Sequence, residues 1–180
     1  MKELDLYKKE CLKHELCATW QTYWVECKNL KDFMDLALKI DSVKWLCESI
    51  SNGWGLNPTF ISKKFKKYIN GSYVFTDVKY DSEMYCQYIG DIEMRTNVLC
   101  LIDFKGEVHI PNGLGCHIYV CGDSDIILKG GERSRIICYI CDNKSKVYSL
   151  LLKSGKFNEV SALTTPTRVT LGKSSPLAII

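Results

Sequence analysis

Cys116, Cys121, Cys138 and Cys141 carry the one spacing in this sequence that suits metal chemistry. Zinc takes four soft ligands at the corners of a tetrahedron, and two close pairs, Cys116-x4-Cys121 and Cys138-x2-Cys141, joined by a loop can supply them. Against this, Cys138 and Cys141 lie inside a continuous apolar run, Ile136–Cys141, and not in a Gly-rich knuckle. On a strand, residues three apart point to opposite faces and cannot chelate without a bend. Packing is the favoured reading, with Cys121 and Cys141 at equivalent inward positions of a repeat, and no cofactor is expected. The histidines, His14, His109 and His117, form no better constellation. Cys116 and His117 are sequence neighbours whose side chains diverge on a strand. No nucleophile elbow, zinc-protease helix or phosphate-binding Gly loop is present; Gly113-Leu114-Gly115 and Gly130-Gly131 read as turns. The expectation is a non-enzymatic protein, with a zinc protein or an enzyme built on the Cys116–Cys141 cluster as the distant alternative.

Two other groups offer surfaces. Lys63, Lys64, Lys66 and Lys67 bracket Phe65, and Tyr68 comes next, so cations and aromatics together suit phosphates and bases. Helical spacing, however, turns Phe65 and Tyr68 inward with Ile61 and Ile69 and leaves the lysines on a solvated face. The whole chain is only +3, so nucleic acid is not an expected partner. Trp20, Tyr23, Trp24, Trp45 and Trp54 supply the core of the helical region or its seam with the coils; an exposed Trp54 would mark a partner surface. Leu177, Ile179 and Ile180 give an apolar end to a Pro-punctuated stretch and read as a docking element.

The elements that must hold these residues are set by a repeat. Residues 118–128 echo 138–148 at a period of twenty: Tyr119 falls on Tyr139, Val120 on Ile140, Cys121 on Cys141, Asp123 on Asn143 and Ile127 on Val147. A short apolar run, a polar turn and a second apolar run at that period is the pattern of a stacked β-coil, each coil covering the next. Val120, Ile140 and Ile127 are thereby placed at equivalent buried positions. Strands are expected at 73–76, 85–89, 97–104, 107–110, 117–121, 125–128, 135–141 and 146–152, broken by turn formers such as Lys105-Gly106 and Gly122-Asp123. Residues 136–141, apolar on both parities, suit a strand covered on both faces.

Before this region the pattern is helical. Leu4, Cys11, Leu12, Leu16 and Trp20 fall loosely on one face. A second helix over 30–40 is capped by Asn29, with Asp32 in its first turn. A third starts after Ser42 and stops at Asn52-Gly53, and a fourth runs from Pro58, capped by Asn57, to Gly71. The expected organisation is therefore α+β: a helical region over 1–71, a small β-solenoid or coiled sheet over 72–160, and an extended tail over 161–180. The helical region is expected to cap the N-terminal end of the coils, with nothing comparable after Leu150–Leu152.

Composition bounds the class. Hydrophobic residues make up 46% and charged residues 25%, which is ordinary for a folded chain and argues against disorder. No apolar run approaches the roughly 18 residues that span a bilayer. The first twenty residues, with Lys2, Glu3, Asp5, Lys8, Lys9 and Glu10, lack the apolar core of a secretory signal. The ten cysteines then read as free thiols in a reducing cytoplasm, where cysteine packs as a small hydrophobe. The mild basic excess lies wholly in residues 1–72, with 12 Lys/Arg against 9 Asp/Glu.

The stretch Lys67–Phe75, then Met84-Tyr-Cys-Gln-Tyr88, Gly90-Asp91, Val108-His-Ile-Pro-Asn112 and Ile118-Tyr-Val-Cys-Gly122, resembles small proteins of gut Bacteroidales and their phages. The resemblance spans roughly residues 55–150. It implies a helical head before a repetitive β tail and a phage or mobile-element setting, and it carries no activity and no functional residue. Together these readings give, as the expected function, a structural or interaction protein such as a minor virion component of a tailed phage. It would be found in the host bacterial cytoplasm or the virion, with protein partners, as a homo-oligomer or a subunit of a larger assembly. The alternative is a cytoplasmic accessory protein that binds a small ligand or a host protein, with its pocket at the helix–coil seam or between subunits.

Overall fold

The computed structural model describes residues 2–14, 18–131, 133–151, 156–162 and 168–169. Five helices come first: α1 (Lys2–Lys13), α2 (Ala18–Glu26), α3 (Leu30–Ala37), α4 (Ile40–Ser51) and α5 (Pro58–Lys64). Their starts obey local chemistry. Asn29 accepts hydrogen bonds from the Lys31 and Asp32 amides at the head of α3, and Asp32 reaches back to the Lys28 amide. That last bond is the main reason its carboxyl sits below the usual range. Asn57 accepts from the Thr59 amide ahead of α5, with Pro58 at the first helical position. Two helical expectations are corrected. The buried face of α1 is Leu4, Tyr7 and Cys11, while Leu12 is exposed, because Leu12 sits one residue, about 100°, around the helix from Cys11. The last helix stops at Lys64, not Gly71. Beyond it the chain turns, and Asn70 (φ 55°) uses its side-chain oxygen to accept from the Cys86 amide, an alternative partner that competes with helix.

The β region is a solenoid, as the repeat predicts. Strands β1 (Phe75–Thr76), β2 (Asp81–Cys86), β3 (Ile92–Glu93), β4 (Val98–Ile102), β5 (Lys105–Ile110), β6 (Gly115–Cys121), β7 (Asp125–Gly130), β8 (Arg135–Ile140), β9 (Lys146–Leu151), β10 (Lys156–Ala162) and β11 (Arg168–Val169) alternate between two sheets. Sheet A has the order β1-β2-β4-β6-β8-β10-β11 and sheet B the order β3-β5-β7-β9. The rungs β2 to β10 and β3 to β9 are parallel, and antiparallel β1 and β11 flank sheet A. The coil region reaches β10, close to the expected limit of 160, and β11 pairs antiparallel with it, where no cap was expected after Leu150–Leu152.

Two apolar layers result. Leu99, Leu101, Ile118, Val120 and Ile140 of sheet A meet Val108, Ile110, Ile126, Leu128 and Val147 of sheet B inside the coils. On the other side of sheet A, Met84, Cys100, Ile102 and Cys121 pack against Phe33, Met34, Val43, Leu46 and Phe65. The helices therefore lie along a face of the solenoid, not over its N-terminal end as expected, because sheet A carries an apolar stripe on that face too. Strand β4 is buried at all five positions, as a strand sandwiched between layers must be. On β8, which the sequence cast in that role, Ile137 and Tyr139 are only half-buried.

The register corrects the repeat at one place. Tyr119 lies opposite Tyr139 and Val120 opposite Ile140, twenty residues on. Asp125 lies opposite Lys146, twenty-one on, and Val147 pairs with Ile126, not Ile127. The turn at 142–145 has one residue more than its predecessor. Asp142 ties that residue in by accepting from the Lys144 and Ser145 amides through Oδ1. A one-residue slip exchanges the faces of a strand, so Val147 joins buried Ile126 in the interior, while Ile127 faces outward beside Tyr148.

Candidate functional site

The solenoid corners are built from serines. Ser124 Oγ accepts from the Phe104 amide at 3.0 Å and donates to Cys121 O at 2.9 Å. One coil later Ser145 Oγ accepts from the Ser124 amide at 3.4 Å, and at the opposite corner Ser134 Oγ accepts from the Leu114 amide at 3.1 Å. Gly122 (φ 84°) sits at one of these corners, where a Cβ would lie 2.1 Å from Asp103 Oδ1, which accepts from the Asp123 amide. At Gly106 (φ 149°) a Cβ would lie 2.2 Å from the Gly90 carbonyl of the preceding coil.

The four cysteines singled out by spacing do not share a site. Cys116 and Cys138 point into the coils, and Cys121 and Cys141 into the helical layer, so sheet A separates the pairs. Cys121 and Cys141 are equivalent, as the repeat requires, but on the outer face and not the inner one, because the inward parity of β6 and β8 falls on the even-numbered residues. Burial holds the Cys116 thiol up at about 12 and Cys138 higher still. Among the described residues no group of three or more His, Cys, Asp or Glu could hold a metal ion. Cys121 and Cys141 instead join Cys47 of α4 and Cys100 of β4. Cys47 Sγ is 3.6 Å from Cys100 Sγ, and Cys121 and Cys141 belong to the same buried cluster. The neighbouring thiols, with burial, hold Cys47 well above its ordinary value. The described cysteines are all free thiols. Sequence reasoning saw Cys47 and Cys100 only as scattered core residues, since nothing local pairs a helix position with a strand 53 residues away.

The histidines stand apart from one another. His14 stacks on Trp54 at 4.1 Å, His109 Nε2 lies 3.4 Å from Glu107, and His117 stacks on Tyr139 at 6.0 Å. Burial and the nearby Arg135 lower the His117 pKa, and its Nδ1 is buried without a partner. Lys63, Lys64, Lys66 and Lys67 are exposed around buried Phe65, and Tyr68 is half-buried. Trp54 is not a free surface residue: it is half-buried and packs against Tyr7, His14 and Trp45. Leu177, Ile179 and Ile180 lie outside the described residues. A cavity of about 60 Å³ opens between the helices, lined by Tyr7, Trp24, Ala37, Asp41, Ser42, Trp45 and Leu46. It lies within the helical layer, not at the helix–coil seam.

One surface escaped the sequence reading. The outer face of sheet B changes character along the stack. Glu107, His109 and Lys129 form a charged patch, with Lys129 Nζ 2.6 Å from Glu107 Oε1. At its end Ile127, Tyr148 and Leu150 come together, Tyr148 being 37% and Leu150 52% exposed. Among the described residues β9 has a neighbour, β7, on one side only. The signal was present in Lys146–Leu151, whose alternate residues are outward once the turn's extra residue is counted. No helix among the described residues is long and apolar enough to cross a membrane. No family model, curated protein or solved structure matches this chain.

Proposed function

We propose that this chain is a non-enzymatic interaction protein that associates through sheet B with a second copy of itself. The observation that carries this reading is the last rung of that sheet: among the described residues no strand lies beyond β9, and exposed Tyr148 and Leu150 share its outer face with half-buried Ile127 of β7. An unpaired strand edge offers backbone donors and acceptors to another strand, and adjoining apolar side chains add burial on pairing. A parallel stack held by local contacts makes a stiff plate, and the helices cover one face while leaving the other open. Such a part serves assembly. The resemblance to proteins of gut Bacteroidales phages supplies the setting, in which the chain acts as a minor virion component of a tailed phage.

Light scattering at micromolar concentration tests the association. The full chain is expected as a closed symmetric oligomer and a Leu150→Lys variant as a monomer with unchanged circular dichroism. A strictly monomeric full chain overturns the reading. Mass spectrometry of purified virions tests the setting independently, with presence in the particle the expected result.

A further inference from the structure

Four buried cysteines gather where the helices meet sheet A. Cys47 is the one member of the Cys47, Cys100, Cys121 and Cys141 group that sits on a helix, so a bond from it to Cys100 would cross the seam between the two layers. At 3.6 Å the two sulfurs are already in contact, and a disulfide requires them to close to ~2.05 Å. Both cysteines are fully buried. The cavity of the helical layer, lined by exposed Asp41, half-buried Ser42 and buried Tyr7 and Leu46, has neither of them in its wall. Leu46 precedes Cys47, and the Tyr7 hydroxyl feels both Cys11 and Cys47 electrostatically. An oxidant must therefore reach so enclosed a pair through local opening, which favours one as small as hydrogen peroxide.

We propose that Cys47 and Cys100 form a redox latch, which a small hydroperoxide closes to a disulfide that ties α4 to β4. One sulfur, as thiolate, attacks the peroxide oxygen and breaks the O–O bond, giving a sulfenic acid and an alcohol, or water when the oxidant is hydrogen peroxide. The second thiolate attacks the sulfenic sulfur and expels hydroxide, which takes up a thiol proton and leaves as water. Two thiols are oxidised by two electrons, and one peroxide is reduced. The neighbouring thiols and burial keep Cys47 protonated at neutral pH, so closure is slow and quickens as pH rises.

The test is incubation of the full reduced chain with hydrogen peroxide at pH 7 and pH 9, then peptide mapping without reduction. The expected result is one intramolecular cross-link joining the Cys47 and Cys100 peptides, forming faster at pH 9. It raises the melting point by on the order of 10 °C, and dithiothreitol reverses the rise. Cys141→Ala is expected to keep the cross-link and Cys100→Ala to lose it; should Cys100→Ala fail to fold, the map of the natural chain decides. A preferred link elsewhere, linkage between chains, or ten thiols intact after folded-state incubation would overturn the latch.

Discussion

Arg95 Nη2 lies 2.9 Å from Glu83 Oε2, and Glu83 is fully buried at the first coil while Arg95 is half-exposed. Removing the cation strands a buried carboxylate, whereas neutralising the acid frees Arg95 to turn to water. Arg95→Ala is therefore expected to cost about 3 kcal/mol, discounted from the upper values by its exposure, and Glu83→Gln clearly less. Urea denaturation of the two variants checks the asymmetry, and equal losses would contradict it. Ser124 presents the same logic for a neutral group. Ser124→Ala leaves the amide of fully buried Phe104 without its acceptor, at about 1–3 kcal/mol. His117 adds a pH term. Its folded pKa is depressed by burial and Arg135, so the unfolded chain binds the proton more readily. Stability is full above the unfolded value of about 6.5 and falls as pH drops below it. Thermal melts at pH 7 and pH 5 should show a smaller acid loss in His117→Asn than in the natural chain.

Strand register governs the next scale. Ile126 faces the interior by its register with β5 and Ile127 faces out, and the extra residue in the turn at 142–145 brings Val147, not Tyr148, to the interior beside Ile126. Ile126→Ala and Ile140→Ala should each cost about 2–5 kcal/mol, the range for a buried methyl-rich side chain. Ile127→Ala and Lys144→Ala should change the urea midpoint little. Equal effects at 126 and 127 would restore the uniform period of twenty. The period itself was legible because β6 and β8 repeat it faithfully through Tyr119–Tyr139, whose rings stack at 4.6 Å. The extra residue was not legible, since Asp123 aligned with Asn143 as readily as any other pair until the hydrogen bonds of Asp142 and Ser145 defined the turn.

For the whole molecule, protection should track the layers. Strands β4 and β6 have bonded strands on both sides and apolar cover on both faces, while β9 has one strand neighbour among the described residues. Hydrogen exchange is expected to be slowest in β4 and β6 and faster in β9, since local opening costs least where contacts are fewest. Slow exchange throughout β9 in a dilute monomer would mean that its edge is covered within the chain.

The succession of helices then coils, the capping by Asn29 and Asn57, and the buried thiols were determined by the sequence alone. Each depends on neighbours a few residues apart or on a repeat that the chain carries in full. Three features were decided by the tertiary structure: helices laid along sheet A, Cys47 brought to Cys100, and an apolar outer face at the last described rung of sheet B. A helix shows its apolar stripe in sequence but not the surface it will cover, and Cys47 meets Cys100 only after α4 has chosen one face of one sheet. Which side of a strand is covered depends on counting every residue in every turn, and one added residue exchanges the two sides.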